Sequence, residues 1–310
     1  MSKTSKNGTF GASLLMLLAA LIWGSSFVAQ EKGLEQIPNF TFLAVRSWLA
    51  VLALLPVALI PHFREKARLA RAGETPKPFF TKDLLKGCIV CGFALCAATA
   101  CQQIGIAHAG AGKSGFLTAL YILMVPLIGL VVYRRRVSPL LWACVAIALV
   151  GMYFLCVSDT GRMTLWDWLL IACAFGFSVQ ITAVDRYLAK GVDGVRLSLM
   201  QFVVCAVLST VAMLVLEKTD PAALLGAWFP VFYAGVLSSG VAFTLQIQSQ
   251  KTLSPTIATL LMSLESVFAA LGGAVFGERL TPFQLLGCAL VFVAVVFAQL
   301  PIGRKKPKTA

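Results

Sequence analysis

Two charged residues lie inside long apolar stretches of the sequence, and they are the first candidates for chemistry. Glu265 and Arg46 stand about nine and about eight residues into their stretches. A charge near the centre of a bilayer costs about 2.5 kcal/mol or more, so it needs a partner, a water-filled cavity or a task. Glu265 could titrate a proton or bind the amine of a solute, or it could hold a kinked helix through hydrogen bonds. Arg46 could bind a solute carboxylate, or it could pair with Glu265 or a helix end.

Polar side chains recur at helical spacing on several other apolar stretches. Hydrogen bonds between helices, each worth about 0.6–2 kcal/mol, could account for some of them. Polar faces on at least five stretches exceed what packing needs, so we expect a hydrated cavity where these faces meet. The residues predicted to line it are Trp23, Ser26, Arg46, Gln103, Tyr121, Ser178, Gln246 and Glu265.

The sequence offers no constellation for catalysis, for a metal or for a nucleotide. Cys88 and Cys91 have the spacing of half a metal or redox site, but no second pair and no nearby histidine completes it. Residues 110–114 imitate the end of a phosphate-binding loop without its first glycine. His62 and His108 are not placed to serve as a base for a membrane-embedded serine. We therefore expect no enzymatic activity, no cofactor and no metal site.

The composition excludes a soluble globular protein. Of 310 residues, 59% are hydrophobic and only 13% are charged, whereas soluble domains carry roughly 25% charged residues. The apolar residues gather in stretches of about 20, the length of a helix that crosses the hydrocarbon core. Because backbone groups in lipid must be bonded within their own segment, these stretches predict an all-α integral membrane protein with ten transmembrane helices. The predicted spans are 11–30, 38–60, 84–107, 113–133, 139–157, 166–184, 197–216, 226–248, 256–276 and 283–301.

The basic residues indicate orientation rather than nucleic-acid binding. The formal net charge is +13, but lysine and arginine concentrate at the ends of the apolar stretches. With a cytoplasmic N-terminus, 20 of the 26 basic residues lie on the cytoplasmic side, five lie on the other side and Arg46 lies within a span. Cytoplasmic loops carry such an excess. We expect a multi-pass protein of the cell membrane with both termini cytoplasmic, a cytoplasmic connection at 61–83 and a basic cytoplasmic tail at 304–310.

The second half of the chain repeats the first. Residues 116–155 align without a gap on 259–298 at a shift of 143, and a short gap earlier in the chain brings Arg46 to Gln201. Each half holds five spans, and because five is odd the second half enters the membrane from the opposite face. Such inverted repeats can hold two nearly equivalent shapes, one open to each side, around a site near the midplane. The two predicted repeats are 1–158 and 159–303.

Four short motifs resemble those of a known family. They are Trp23-Gly24-Ser25-Ser26-Phe27, Phe116-Leu117-Thr118-Ala119-Leu120-Tyr121 with Pro126, Ser263-Leu264-Glu265 and Gly277-Glu278-Arg279-Leu280. Over nearly its whole length, the chain resembles the EamA-type members of the drug/metabolite transporter superfamily, which have ten spans in two related halves. It departs from them at Ser266, where proline is usual, and at 133–136, where a Gly-Glu pair is common.

The resemblance implies a transporter of a small organic metabolite, such as an amino acid or a drug-like solute, and it favours export. Together with the repeat, it predicts alternating access around a midplane cavity. Nothing in the sequence resembles an ATPase, so the gradient of the solute or of protons must supply the energy, and proton coupling stays open. The expected partners are the solute and the lipid bilayer, not nucleic acid, and the protein is expected to be a monomer or a homodimer. A membrane-embedded enzyme or lipid-handling protein is the alternative.

Overall fold

The computed structural model describes residues 6–72, 74, 78–156, 163–275 and 281–299. Within these ranges the chain forms helices and no β-strand, which confirms the prediction of an all-α protein. The motif at 277–280, the predicted junction at 158–159 and the basic tail at 304–310 lie outside the described residues.

The helices follow one another with short connections. In the described part of the first half they are α1 (Lys6–Leu34), α2 (Asn39–Arg71), α3 (Lys82–Thr118), α4 (Tyr121–Val131) and α5 (Pro139–Cys156). In the second half they are α6 (Leu165–Ala189), α7 (Gly194–Leu216), α8 (Pro221–Gly226), α9 (Trp228–Phe232), a π-helix (Tyr233–Ala242), α10 (Phe243–Gln250), α11 (Pro255–Met262), α12 (Leu264–Val275) and α13 (Pro282–Gln299).

The length and composition of these helices fit a membrane. Among the described residues, eight helical stretches are long and apolar enough to cross one. Two shorter apolar helical stretches, Pro139–Leu155 and Pro255–Leu271, lie within the fifth and ninth predicted spans to within one residue; the second comprises α11 and the first part of α12. Large apolar side chains such as Leu52, Phe93 and Phe292 are exposed, as contact with lipid requires. The chain is a multi-pass membrane protein, and the number of ten spans stays a prediction.

The helices run further than predicted at two places. α2 continues to Arg71, so the first part of the connection predicted at 61–83 is helical. Residues 64–71 are Arg, Glu, Lys, Ala and Leu, all good helix formers, which explains the extension. α3 likewise continues through 110–112, between the predicted spans 84–107 and 113–133. The two glycines there lower helix propensity but, unlike proline, keep their backbone N–H.

Helix breaks occur at two places that lie 143 residues apart, the shift of the sequence repeat. α3 gives way to α4 at Leu120, where φ is −58° and ψ is −12°. α11 gives way to α12 at Ser263, where φ is −60° and ψ is −15°. Each break contains a tight bond of the 3₁₀ type: the amide of Leu123 donates to the carbonyl of Leu120 at 3.0 Å, and that of Ser266 donates to the carbonyl of Ser263 at 3.3 Å.

α5 and α13 also match each other, and they pack together. Both contain 18 residues, both begin with proline, and their bounds differ by the same shift of 143. A Cβ added at Gly287 would lie 2.5 Å from the carbonyl oxygen of Gly151, so the two backbones are in direct contact. Small residues at such crossings are typical of membrane helices, which associate through close packing because lipid tails are as apolar as the side chains. This contact joins the last described helix of each half.

Candidate functional site

Helices from both halves of the chain enclose an internal cavity. The centre of a water molecule fits over about 40 Å³ of this space. That is room for water, but a larger solute requires the walls to move apart. Five of the eight predicted residues line the cavity, namely Trp23, Arg46, Tyr121, Gln246 and Glu265. The other lining residues are Phe27, Gln30, Thr99, Gln102, Thr118, Phe177, Gln180, Ile181, Ser238, Phe243 and Met262.

Glu265 and Tyr121 form a hydrogen bond that joins the two halves. Tyr121 is the first residue of α4 and Glu265 is the second of α12, so each directly follows a helix break. The Tyr121 hydroxyl donates to Oε1 of Glu265 at 2.9 Å, and both residues are buried. α1 packs on the backbone that carries the carboxyl group, because a Cβ added at Gly24 would lie 2.5 Å from the Glu265 carbonyl oxygen.

Arg46 is buried on α2 and contacts only uncharged partners. Its Nη1 donates to Oε1 of Gln30 at 2.6 Å, its Nε donates to Oγ of Ser239 at 3.1 Å, and its Nη2 lies 3.5 Å from Oγ of Ser238. Within the described ranges no carboxylate lies within 4.0 Å of the guanidinium group. Arg46 and Glu265 line the same cavity without forming an ion pair, so the hypothesis that they pair with each other is wrong for this conformation.

Gln30 is the polar centre of the wall around Arg46. Its Oε1 accepts from Arg46 and also from Nε2 of Gln103, in both cases at 2.6 Å. Its own Nε2 donates to Oγ of Ser26 at 3.0 Å. The predicted residues Ser26 and Gln103 are therefore buried behind the wall, where they fix the amide of Gln30 against the guanidinium group.

A second group of amides lies on the side of the cavity formed by the second half. Nε2 of Gln246 contacts Oε1 of Gln180 at 3.3 Å and Oε1 of Gln250 at 3.2 Å. Nε2 of Gln180 donates to Oε1 of Gln201 at 3.0 Å. Oε1 of Gln246 is buried and has no hydrogen-bond partner among the described residues.

Residues of the π-helix contact both Arg46 and Trp23: two consecutive serines contact Arg46, and one backbone carbonyl contacts Trp23. Oγ of both Ser238 and Ser239 accepts from Arg46, and Nε1 of Trp23 donates to the carbonyl oxygen of Ser238 at 3.1 Å. The segment packs closely on α2, since a Cβ added at Gly235 would lie 2.9 Å from the Arg46 carbonyl oxygen. Insertions of π-helix within α-helices are frequent at functional sites because they shift the register of side chains.

Aromatic rings form the apolar part of the wall. The rings of Trp23 and Phe243 meet edge to face, with centroids 5.0 Å apart, and the ring of Phe177 lies 6.3 Å from that of Phe243. Such rings present a flat, rigid surface to a solute. The site thus combines one cation, one carboxyl group, several amides and an aromatic surface.

The prediction that Ser178 lines the cavity placed the wrong face of α6 toward it. Ser178 does not line the cavity, and its hydroxyl donates to the carbonyl of Ala174 on its own helix at 2.7 Å. The cavity face of α6 is instead formed by Phe177, Gln180 and Ile181. Their i, i+3, i+4 spacing is the signal that could have identified this face.

No metal site is found in the part of the chain that the structure describes. There, no three or more His, Cys, Asp or Glu side chains come close enough together to hold an ion.

The same fold and sequence pattern occur in known proteins. The EamA-like transporter family matches this chain over residues 10–157 and over 164–299. A relative from Archaeoglobus fulgidus, named an uncharacterized transporter, is 27% identical over 298 residues, which are 94% of this chain and 86% of the relative. A protein of known crystal structure matches with a TM-score of 0.73 and 18% identity over 93% of this chain and 96% of its own. At that level of identity the likeness shows the fold alone.

Proposed function

Because the chain belongs to the EamA-like transporter family, we propose that it moves a small organic solute across the membrane through the cavity between its halves. The observation that carries the proposal is the composition of this cavity. It is lined by a buried arginine, a buried glutamate and several amides, which are carried by helices that are apolar enough to cross a membrane. Such groups are costly in lipid and are kept there when they face a water-filled cavity or a substrate.

Alternating access is the proposed mechanism, and two inverted repeats, 1–158 and 159–303, are its proposed basis. Three observations support the repeats. The family matches each half separately, the helix breaks at Leu120 and Ser263 have the same backbone geometry, and α5 and α13 have corresponding bounds. Two antiparallel copies of one scaffold give two conformations of similar energy, open to opposite sides.

The bond between Tyr121 and Glu265 lies where the halves must separate. Each partner follows a helix break in its own half, and the two breaks are the natural places for these helices to bend. Opening the cavity to either side stretches or breaks this bond, and protonation of Glu265 or binding of the solute compensates for its loss. Proton coupling would therefore act through Glu265.

The remaining details of the proposal follow from charge and family. Both termini lie in the cytoplasm, as the excess of basic residues on that side indicates, and the protein resides in the cell membrane as a monomer or homodimer. The solute is a metabolite such as an amino acid or a drug-like compound, and the direction of transport is export. The wall residues are buried within the helix bundle rather than exposed at the lipid surface, which favours a solute carrier over a lipid-handling protein.

The test is transport by purified protein in proteoliposomes. A panel of amino acids, nucleosides and cationic drugs would be loaded or added outside, at several proton gradients. We expect at least one compound to cross only when protein is present, and we expect Glu265→Gln to alter its pH dependence. Ser209→Ala is the matched control, because Ser209 is buried on α7 away from the cavity and its hydroxyl donates to the carbonyl of Cys205 on its own helix. If no compound on the panel crosses in a protein-dependent way, the proposal fails.

A further inference from the structure

Arg46 is a charged residue of the cavity that has no carboxylate in direct contact among the described residues. A guanidinium group stays protonated at any physiological pH. Arg46 is only 2% exposed, and none of its contacts is a carboxylate within the described ranges. A buried cation of this kind is unfavourable unless an anion joins it. Because Arg46 lines the cavity, the place for that anion is the cavity.

The hydrogen-bond donors of Arg46 point to the shape of the missing partner. A guanidinium group has five N–H donors, and three contacts account for one donor each on Nε, Nη1 and Nη2. One N–H on each terminal nitrogen is left for a ligand. A guanidinium group that presents two parallel N–H donors binds a carboxylate through both of its oxygens.

The serines of the π-helix add to this recognition. Ser238 and Ser239 accept from Arg46, and no acceptor for their own hydroxyl hydrogens is found in the described part of the chain. Ser238 lines the cavity, so its hydroxyl is free to donate to an oxygen that binds beside the guanidinium group. The side-chain carbonyl of Gln30, supported by Gln103, holds the guanidinium group in position through one N–H of Nη1.

We propose that the transported solute carries a carboxylate group, which binds Arg46 through both oxygens and accepts a further hydrogen bond from Ser238. This inference rests on the proposed transport function and specifies its substrate class. The carboxylate supplies the direct partner for Arg46 that Glu265, bonded to Tyr121, does not provide in this conformation. The rest of the solute extends along the aromatic wall of Trp23 and Phe243 toward Glu265.

The test compares compounds that differ only in the proposed group. The probes are 3-phenylpropionate and phenylalanine, which carry the carboxylate, and their carboxamides, which have nearly the same shape without the charge. Binding is measured as thermal stabilisation of the detergent-solubilised protein, and transport is measured by uptake in proteoliposomes. We expect each acid to bind at least about 10-fold more tightly than its amide, as expected for a paired, charge-assisted contact.

Variants distinguish recognition from a structural role of Arg46. In Arg46→Gln the preference for acid over amide should fall to about one, while Arg46→Lys, which keeps the charge without the planar pair of donors, should retain part of it. Ser238→Ala should reduce the preference severalfold, and Ser209→Ala should leave it unchanged. A merely structural arginine would lower acid and amide binding equally and leave the ratio as it was.

Each outcome decides between the hypotheses. Equal binding of acid and amide by the unaltered protein, or an acid preference that survives Arg46→Gln, overturns the carboxylate inference while transport itself stands. The same follows if none of the four probes binds but a neutral or cationic compound is transported. If no compound at all is transported by folded protein, it is the proposed function that fails.

Discussion

The close contact between α1 and α12 makes a quantitative prediction about one glycine. A Cβ added at Gly24 would lie 2.5 Å from the carbonyl oxygen of Glu265, 2.9 Å from Cβ of Phe268 and 3.0 Å from the amide nitrogen of Ala269. Two of these three atoms belong to the backbone and cannot rotate away. In Gly24→Ala, therefore, either α1 or the backbone that carries Glu265 must move.

The magnitude follows from two opposing effects. Overpacking in a well-packed interior costs about 1–3 kcal/mol, whereas replacing glycine by alanine in a helix gains about 0.5–1 kcal/mol. Gly11 lies on the same helix, and a Cβ added there would meet no atom within 4 Å. We therefore expect Gly11→Ala to be neutral or stabilising and Gly24→Ala to be less stable than Gly11→Ala by about 1–3 kcal/mol.

The assay is unfolding of both variants in mixed detergent micelles, followed by helical circular dichroism, with transport measured in parallel. Because the displaced backbone carries Glu265, Gly24→Ala should also reduce the transport rate, while Gly11→Ala should not. Equal free energies of unfolding and equal transport rates for the two variants would refute the contact between α1 and α12 and the position it assigns to Glu265.

Three further substitutions test single contacts. Tyr121→Phe removes the described donor to Glu265 and should destabilise this conformation by about 1–3 kcal/mol; a melting temperature and a transport rate equal to those of the unaltered protein would show that the bond is unimportant. Gln103→Leu removes a donor to Gln30 from behind the cavity wall, so it should raise the KM for transport severalfold although it does not touch the solute; an unchanged KM counts against the support of Gln30 by Gln103. Glu217 caps the start of α2, where its carboxylate accepts from the amides of Phe40 and Thr41 at 2.8 and 2.7 Å. Glu217→Ala should therefore lower the free energy of unfolding by about 1–2 kcal/mol and leave the KM for transport unchanged. A changed KM would show that this cap takes part in transport.

The cost of a buried charge made the two main candidates predictable from sequence. A charged side chain is costly in a helix that faces only lipid, so an arginine or a glutamate there indicates a cavity or a partner. Arg46 and Glu265 both line one cavity. Their lack of mutual pairing could not be predicted, because it depends on how α2 and α12 are oriented around the cavity. Sequence positions on separate helices do not fix that orientation.

The sequence alone does not reveal which of two adjacent polar residues on a helix faces the cavity. On α3, Gln102 lines the cavity whereas Gln103 is buried behind it. One residue turns a helix by about 100°, so a small rotation of the helix exchanges their roles. The π-helix adds a further shift, since it changes the register of every residue after Tyr233 relative to an α-helical projection. The hydrophobic pattern of the sequence does not predict that this segment forms a π-helix.

The two charged residues of the cavity, Arg46 and Glu265, do not follow the proposed repeat of the two halves. This difference bears on the mechanism. At the shift of 143, Glu265 corresponds to Ile122, and the alignment places Gln201 opposite Arg46. The first half therefore contributes Arg46 and the second contributes Glu265, each without a charged counterpart, while the helix breaks beside the cavity remain equivalent. In the proposed mechanism, equivalent breaks let the halves exchange conformations at little cost in energy. Under the same proposal, the unequal charges give the solute a single orientation between Arg46 and Glu265, which it keeps while the scaffold reverses its opening.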